Sequence, residues 1–149
     1  HHNYPQFSFI ESTEFSWNSS LQRVCYKPPT TAQQERRYSS KLLHELAHGL
    51  FNHQDYRSDV ELLKIESEAW NKALALSKSL GIKLDLKEQR CSLASYINWA
   101  SSRSKCPHCH KNGLQIMQTN FICPNCQNKW QVSKSRFTRT YRQEKNVSA

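Results

Sequence analysis

Histidines and cysteines fall at metal-binding spacings in two places along this 149-residue chain. His44-Glu45-Leu46-Ala47-His48 sets two imidazoles four residues apart. On a helix they share one face and can reach one ion together. Glu45 lies beside them, set back far enough to reach a water on that ion instead of the ion. Cys106-Pro107-His108-Cys109 and Cys123-Pro124-Asn125-Cys126 are two knuckles with 13 residues between them. That separation makes an all-thiolate tetrahedral zinc site. The sequence therefore predicts two Zn²⁺ ions, one catalytic and one structural. Four thiolates fill the second site, so His108 and His110 are expected to be exposed.

A catalytic zinc needs a third protein ligand and an open position. His53 follows His48 by five residues, a poor distance for a ligand, and fits better as a helix-end histidine or a group behind the ligands. Glu66 and Glu68 are the better candidates. An apolar face runs Leu62, Ile65, Ala69, Ala73, Leu76, Leu80, and Glu66 falls in phase with it. Glu68 stands four residues from Lys64 and from Lys72, on a charged face. A carboxylate on an apolar face is costly unless paired or bound to metal. Glu66 is the expected ligand and Glu68 the alternate. Zinc on His44, His48 and Glu66 would lower the pKa of a water toward about 7, with Glu45 as general base. Tyr56 and His53 are candidate oxyanion donors. Asp55 or Asp59 is placed to orient a ligand histidine.

These groups need elements to hold them. Phe7–Ile10, Phe15–Trp17 and Arg23–Tyr26 read as strands of a small antiparallel sheet, stopped by Pro28-Pro29. A helix is predicted from Thr31 to His53. A second starts at Ser58, with Glu61 as capping-box partner, and ends near Leu80 with Gly81 at C′. A third starts at Asp85, with Glu88 as box partner, and reaches about Ala100. Leu114–Gln118, Asn120–Cys123 and Trp130–Val132 read as short strands around the cysteines. The expected fold is α+β: a minimal zincin-like domain over 1–100, a linker at Ser101–Lys105, a zinc ribbon over 106–133, and a basic tail over 134–149, frayed from Thr138 with some helix.

Charge divides the chain in the same place. Residues 1–100 carry twelve basic and eleven acidic side chains; residues 101–149 carry nine basic and one acidic, a net of +8. The basic end also holds Phe121, Trp130, Phe137 and Tyr141. Lys129, Lys134, Arg136, Arg139 and Arg142 are candidate nucleic-acid contacts; the competing reading is that Phe121 and Trp130 pack a small core. Cys25 and Cys91 are expected to be small buried residues. No apolar run reaches the roughly 18–20 residues that span a bilayer, and no signal peptide is visible. His1-His2 reads as the end of a tag. Thiolate ligands suit a reducing compartment, which points to the cytoplasm.

His44-Glu45-Leu46-Ala47-His48-Gly49-Leu50, followed by Glu66-Ser67-Glu68-Ala69-Trp70, resembles the ImmA/IrrE-type zinc metallopeptidases, which pair HExxH with E-x-[EQ]-A on the following helix. In that pattern the first Glu is the steadier one. SprT-like proteases, with HExxH and a zinc ribbon, and ArdC antirestriction proteins are weaker likenesses. The resemblance implies a gluzincin-like peptidase acting on a protein substrate, with the ribbon as a docking module. The alternative is a DNA-binding or antirestriction protein on a zincin scaffold, or a protease of DNA-bound proteins.

Overall fold

The protein is described by a computed structural model covering residues 4–136 and 140–144. It is α+β, with three helices and two small sheets among these residues. In order these are β1 (Ser8–Glu11), β2 (Ser16–Asn18), β3 (Arg23–Tyr26), α1 (Ala32–Leu50), α2 (Asp59–Leu80), α3 (Leu86–Ser104), β4 (Leu114–Met117), β5 (Asn120–Ile122), β6 (Lys129–Val132) and β7 (Arg142–Glu144). The chain divides into two compact units. The first comprises His1–Asp55 and Lys64–Leu93, the second Tyr56–Leu63 and Ala94–Ala149.

In the first unit the strands lie in the order β1-β3-β2. β2 pairs antiparallel with β3, but β1 pairs with it in parallel, Phe9 opposite Val24. The sheet is therefore mixed, not antiparallel as expected. The connection between β1 and β2 contains no Gly, Pro or Asn to fold it back as a tight hairpin, and β2 lies on the far side of β3. The core joins Phe7, Leu43, Leu46, Ala47, Ala69, Trp70, Ala73 and Leu76. Leu80, at the end of the predicted apolar face, is exposed.

Local chemistry fixes the helix ends. Thr31 caps α1 by accepting from the Gln34 N–H. Gly81 ends α2 in the left-handed region (φ 67°). The Ile82 N–H bonds to the Ser77 carbonyl and the Gly81 N–H to Lys78, the full Schellman pair. Ser58 caps α2, its oxygen accepting from the Glu61 N–H. The reciprocal bond is shifted, because Glu61 accepts from Arg57 and not from Ser58. Asp85 caps α3 through Oδ1. Its expected partner Glu88 turns instead to Arg37 and Lys41 of α1.

The second unit carries the antiparallel meander β4-β5-β6-β7 over a core of Phe121, Trp130, Val132, Cys106 and Cys123. Gly113 lies under the Trp130 indole, where a Cβ would stand 2.1 Å from a ring carbon. Ser101–Ser104, expected as a linker, are the last turn of α3. Arg103 in that turn is 1% exposed. It pairs with Asp59 at 3.0 Å, donates to the carbonyls of Ser133 and Gln118, and lies over the Trp99 ring. A serine-rich run resembles a linker, but serine is tolerated in a helix, and these acceptors make that turn an anchor. The expected tail supplies the strand β7 at Arg142–Glu144. His1-His2, Phe137, Thr138, Arg139 and residues 145–149 lie outside the described residues. No described helix is long and apolar enough to cross a membrane.

Candidate metal centres

His44 and His48 project from α1 and Glu66 from α2, all three buried. Their ligand atoms lie within 4.8 Å of one another. His44 Nε2 is 3.1 Å from His48 Nε2 and 3.2 Å from Glu66 Oε2, and His48 Nε2 is 3.7 Å from Glu66 Oε1. Two imidazole nitrogens bound tetrahedrally to one ion at about 2.0–2.1 Å would stand roughly 3.3 Å apart. Three ligand atoms that converge this closely could share one cation. Burial pushes the His48 pKa down to about 3, with His44 adding to the effect. Its ring is therefore neutral and free to ligate. The group could hold a metal ion, and two nitrogens with one carboxylate oxygen suit a borderline divalent ion.

The surroundings hold the ligands in place. The Trp70 ring stacks on His44 at 4.3 Å between centroids. His44 Nδ1 is buried without a hydrogen-bond partner. His48 Nδ1 faces His53 Nδ1 at 2.9 Å. Glu68 is half-exposed and lies outside the cluster, 3.7 Å from His53 and 3.8 Å from Lys64.

Glu45 is partly buried. Loss of hydration raises its carboxyl to about 7; His44 opposes the rise, Glu66 adds to it, and a hydrogen bond from the Trp17 backbone N–H partly offsets it. Gly49 lets α1 approach close enough for that bond, because a Cβ there would meet the Trp17 ring at 3.0 Å. Trp17 also lines an open groove of about 480 Å³ with Asn18, Ser19, Ser20, Gln54 and Asp55.

The other expected site residues fall elsewhere. Tyr56 belongs to the second unit, where its carbonyl accepts from Gln118. Asp59, expected as one of two groups to orient a ligand histidine, is taken by Arg103 and Gln115 in the second unit. His53, expected as an oxyanion donor among other roles, lies against the Nδ1 side of His48, away from Nε2. The sequence reading missed the Trp70 stack, although Trp70 directly follows the buried Ala69. It also missed the Trp17 N–H, for which it contains no signal.

In the second unit Cys106, Cys109, Cys123 and Cys126 bring their sulfurs within 4.8 Å. Cys106 and Cys126 are 3.6 Å apart, and Cys109 and Cys123 3.4 Å. Sulfurs at about 2.3 Å from one tetrahedral ion would be roughly 3.8 Å apart. The two knuckles repeat one backbone pattern. Cys106 N–H bonds to Lys111 and Cys123 N–H to Asn128, while His110 and Gln127 donate back to Cys106 and Cys123. His110 and Gln127 both take positive φ, 59° and 61°. The Lys111 N–H aimed at Cys109 sulfur lowers that thiol to about 6 against the opposing effect of burial. This arrangement too could hold a metal ion.

His108 and His110 are exposed. Cys25 is half-buried and Cys91 exposed, so the expectation of burial fails for Cys91. Lys129 and Lys134 are exposed. Arg136 stacks on Tyr96 and bonds to Ser95, and Arg142 donates to the Ser102 and Lys105 carbonyls. Phe121 and Trp130 are buried against each other, 5.5 Å between centroids, and serve the core. No protein family, curated protein or solved structure matches the chain.

Proposed function

We propose that this chain is a zinc-dependent peptidase of the ImmA/IrrE type, acting on a protein substrate in the cytoplasm. The observation that supports it most is the convergence of His44, His48 and Glu66 beside a half-buried Glu45. Zinc bound there would supply Lewis acidity to a carbonyl and acidify a water. Glu45 would take a proton and deliver it to the leaving amine. The Trp17 N–H holds the Glu45 carboxylate in position. The four-cysteine site would carry a second, structural zinc.

Glu45→Gln tests the reading. It should keep the metal content of the wild type and lower cleavage of cytoplasmic protein substrates by roughly 10²–10⁴-fold. Equal cleavage by the zinc-loaded wild type and the variant would overturn it. A second reading, nucleic-acid binding by the basic second unit, is favoured by the net +8 of residues 101–149 and by exposed Lys129 and Lys134. It requires DNA affinity that falls steeply as salt rises. No binding at low salt, or affinity indifferent to salt, would end it.

A further inference from the structure

We infer that His53 is a positioning residue that holds His48 for metal and sets the affinity of the histidine site. The inference rests on the metal-site reading of His44, His48 and Glu66 and goes beyond it.

The end of α1 places His53. Asn52 takes the left-handed conformation (φ 51°), which asparagine tolerates better than most residues. Its N–H bonds to the Gly49 carbonyl, and the His53 N–H bonds to the carbonyl of His48, 3.0 Å away. This is the Schellman pair, which folds the residue two places beyond the helix back over its last turn. An apolar contact usually accompanies that fold; here two imidazoles meet. His53 is held further by the Trp17 indole N–H on its carbonyl, at 3.0 Å, and by the Phe51 ring stacked on its own. Backbone and neighbours thus fix where its ring stands.

The ring faces the nitrogen of His48 that a metal would leave free. His48 Nε2 points at His44 and Glu66, and His48 Nδ1 stands 2.9 Å from His53 Nδ1. A metal on Nε2 puts the proton on Nδ1, so His48 donates to His53 Nδ1. His53 then carries its own proton on Nε2, 3.7 Å from the Glu68 carboxylate. The 2.9 Å contact with His53 fixes the tautomer and orientation of His48 and makes it a better donor, while Glu68, beyond hydrogen-bond reach, acts on His53 by charge alone. Glu68, the alternate third ligand by sequence, stands one imidazole behind the ligands. His44 lacks such a partner and is held by the Trp70 face. The two ligand histidines are held by different physics, and only His48 depends on this contact.

The test is zinc affinity of the full chain by chelator competition. The site class abolished by His44→Ala identifies the histidine site. His53→Leu keeps bulk but accepts no hydrogen bond, and should weaken that class by about 10–100-fold. His53→Asn carries an oxygen near the position of Nδ1 and should stay within about threefold of wild type. A role in packing alone predicts the reverse, since Leu fills the space better than Asn. The positioning role is overturned if His53→Leu binds within about twofold of wild type, or if Asn loses as much as Leu. If wild type and His44→Ala bind the same number of zinc ions, the metal-site reading itself fails, a result distinct from both.

Discussion

The two candidate metal centres are built on opposite plans. The cysteine centre is almost entirely local. Each knuckle spans a few residues, each repeats the same backbone bonds, and N–H groups such as that of Lys111 point at sulfur. Four donors close the shell, so nothing is left for a substrate. The histidine centre takes two donors from α1 and one from α2, with Trp17 of β2 aimed at Glu45. Three donors leave a tetrahedral ion one open position. Its precision depends on an apolar core that packs helix on helix. A centre built by turns is suited to holding a fold, whereas one built by packing is suited to holding a reactant.

That contrast predicts unequal responses to metal removal. The core of the second unit is small, and two of its five members are cysteines of the candidate centre. Structural zinc contributes about 10–16 kcal/mol of apparent binding free energy in small zinc-finger peptides. Chelation, or Cys106→Ser, should therefore remove hydrogen-exchange protection from β4, β5 and β6 altogether. Amides of α1, and of α2 from Lys64 onward, should stay protected, because Leu43, Leu46, Trp70 and Leu76 pack without a metal. Loss of protection in both units at one chelator concentration would erase the distinction.

Legibility in the sequence follows the same division. Helical period alone put His44 and His48 on one face and Glu66 in phase with Ala69 and Ala73. The caps at Ser58, Asp85 and Gly81 were visible because each is a local bond. The cysteine knuckles were visible for the same reason. What stayed hidden depends on partners remote in sequence. Arg103 reads as solvent-facing until Asp59, Gln118 and Ser133 are brought around it. The parallel pairing of β1 leaves no mark, because β-register is a tertiary choice. His53 is intermediate. Its place follows from Asn52 as a left-handed C′ residue, a signal present in the sequence but masked by running the helix on to His53.

Arg103 offers the next largest effect. Burial lowers the Arg103 guanidinium pKa, and burial raises Asp59, each partly restored by the other. Each charge is therefore tolerable only with its partner. Arg103→Leu should destabilise the second unit by about 3–5 kcal/mol, because it strands Asp59 and two carbonyls. Adding Asp59→Leu should restore part of that loss. Urea unfolding followed by Trp130 fluorescence would measure both. A double variant no more stable than Arg103→Leu would show that the guanidinium acts through its carbonyl bonds and not through Asp59.

The smallest effect tests the histidine centre without its metal. In the metal-free chain the folded Glu45 carboxyl titrates near 7, against an ordinary value of 4.5. The folded state holds this proton more tightly, so Glu45 costs stability as pH rises from 4.5 to 7, and the cost is constant above that. Glu45→Gln removes the titration. The metal-free variant should exceed the metal-free wild type by on the order of 2–3 kcal/mol above pH 7, and the gap should close toward pH 4.5. Urea midpoints of the wild type and Glu45→Gln from pH 5 to 9, both with chelator, would read the slope. A Glu45→Gln advantage that does not change with pH would mean the carboxyl is hydrated and ionised throughout. Glu45 would then lack the burial on which its raised pKa depends.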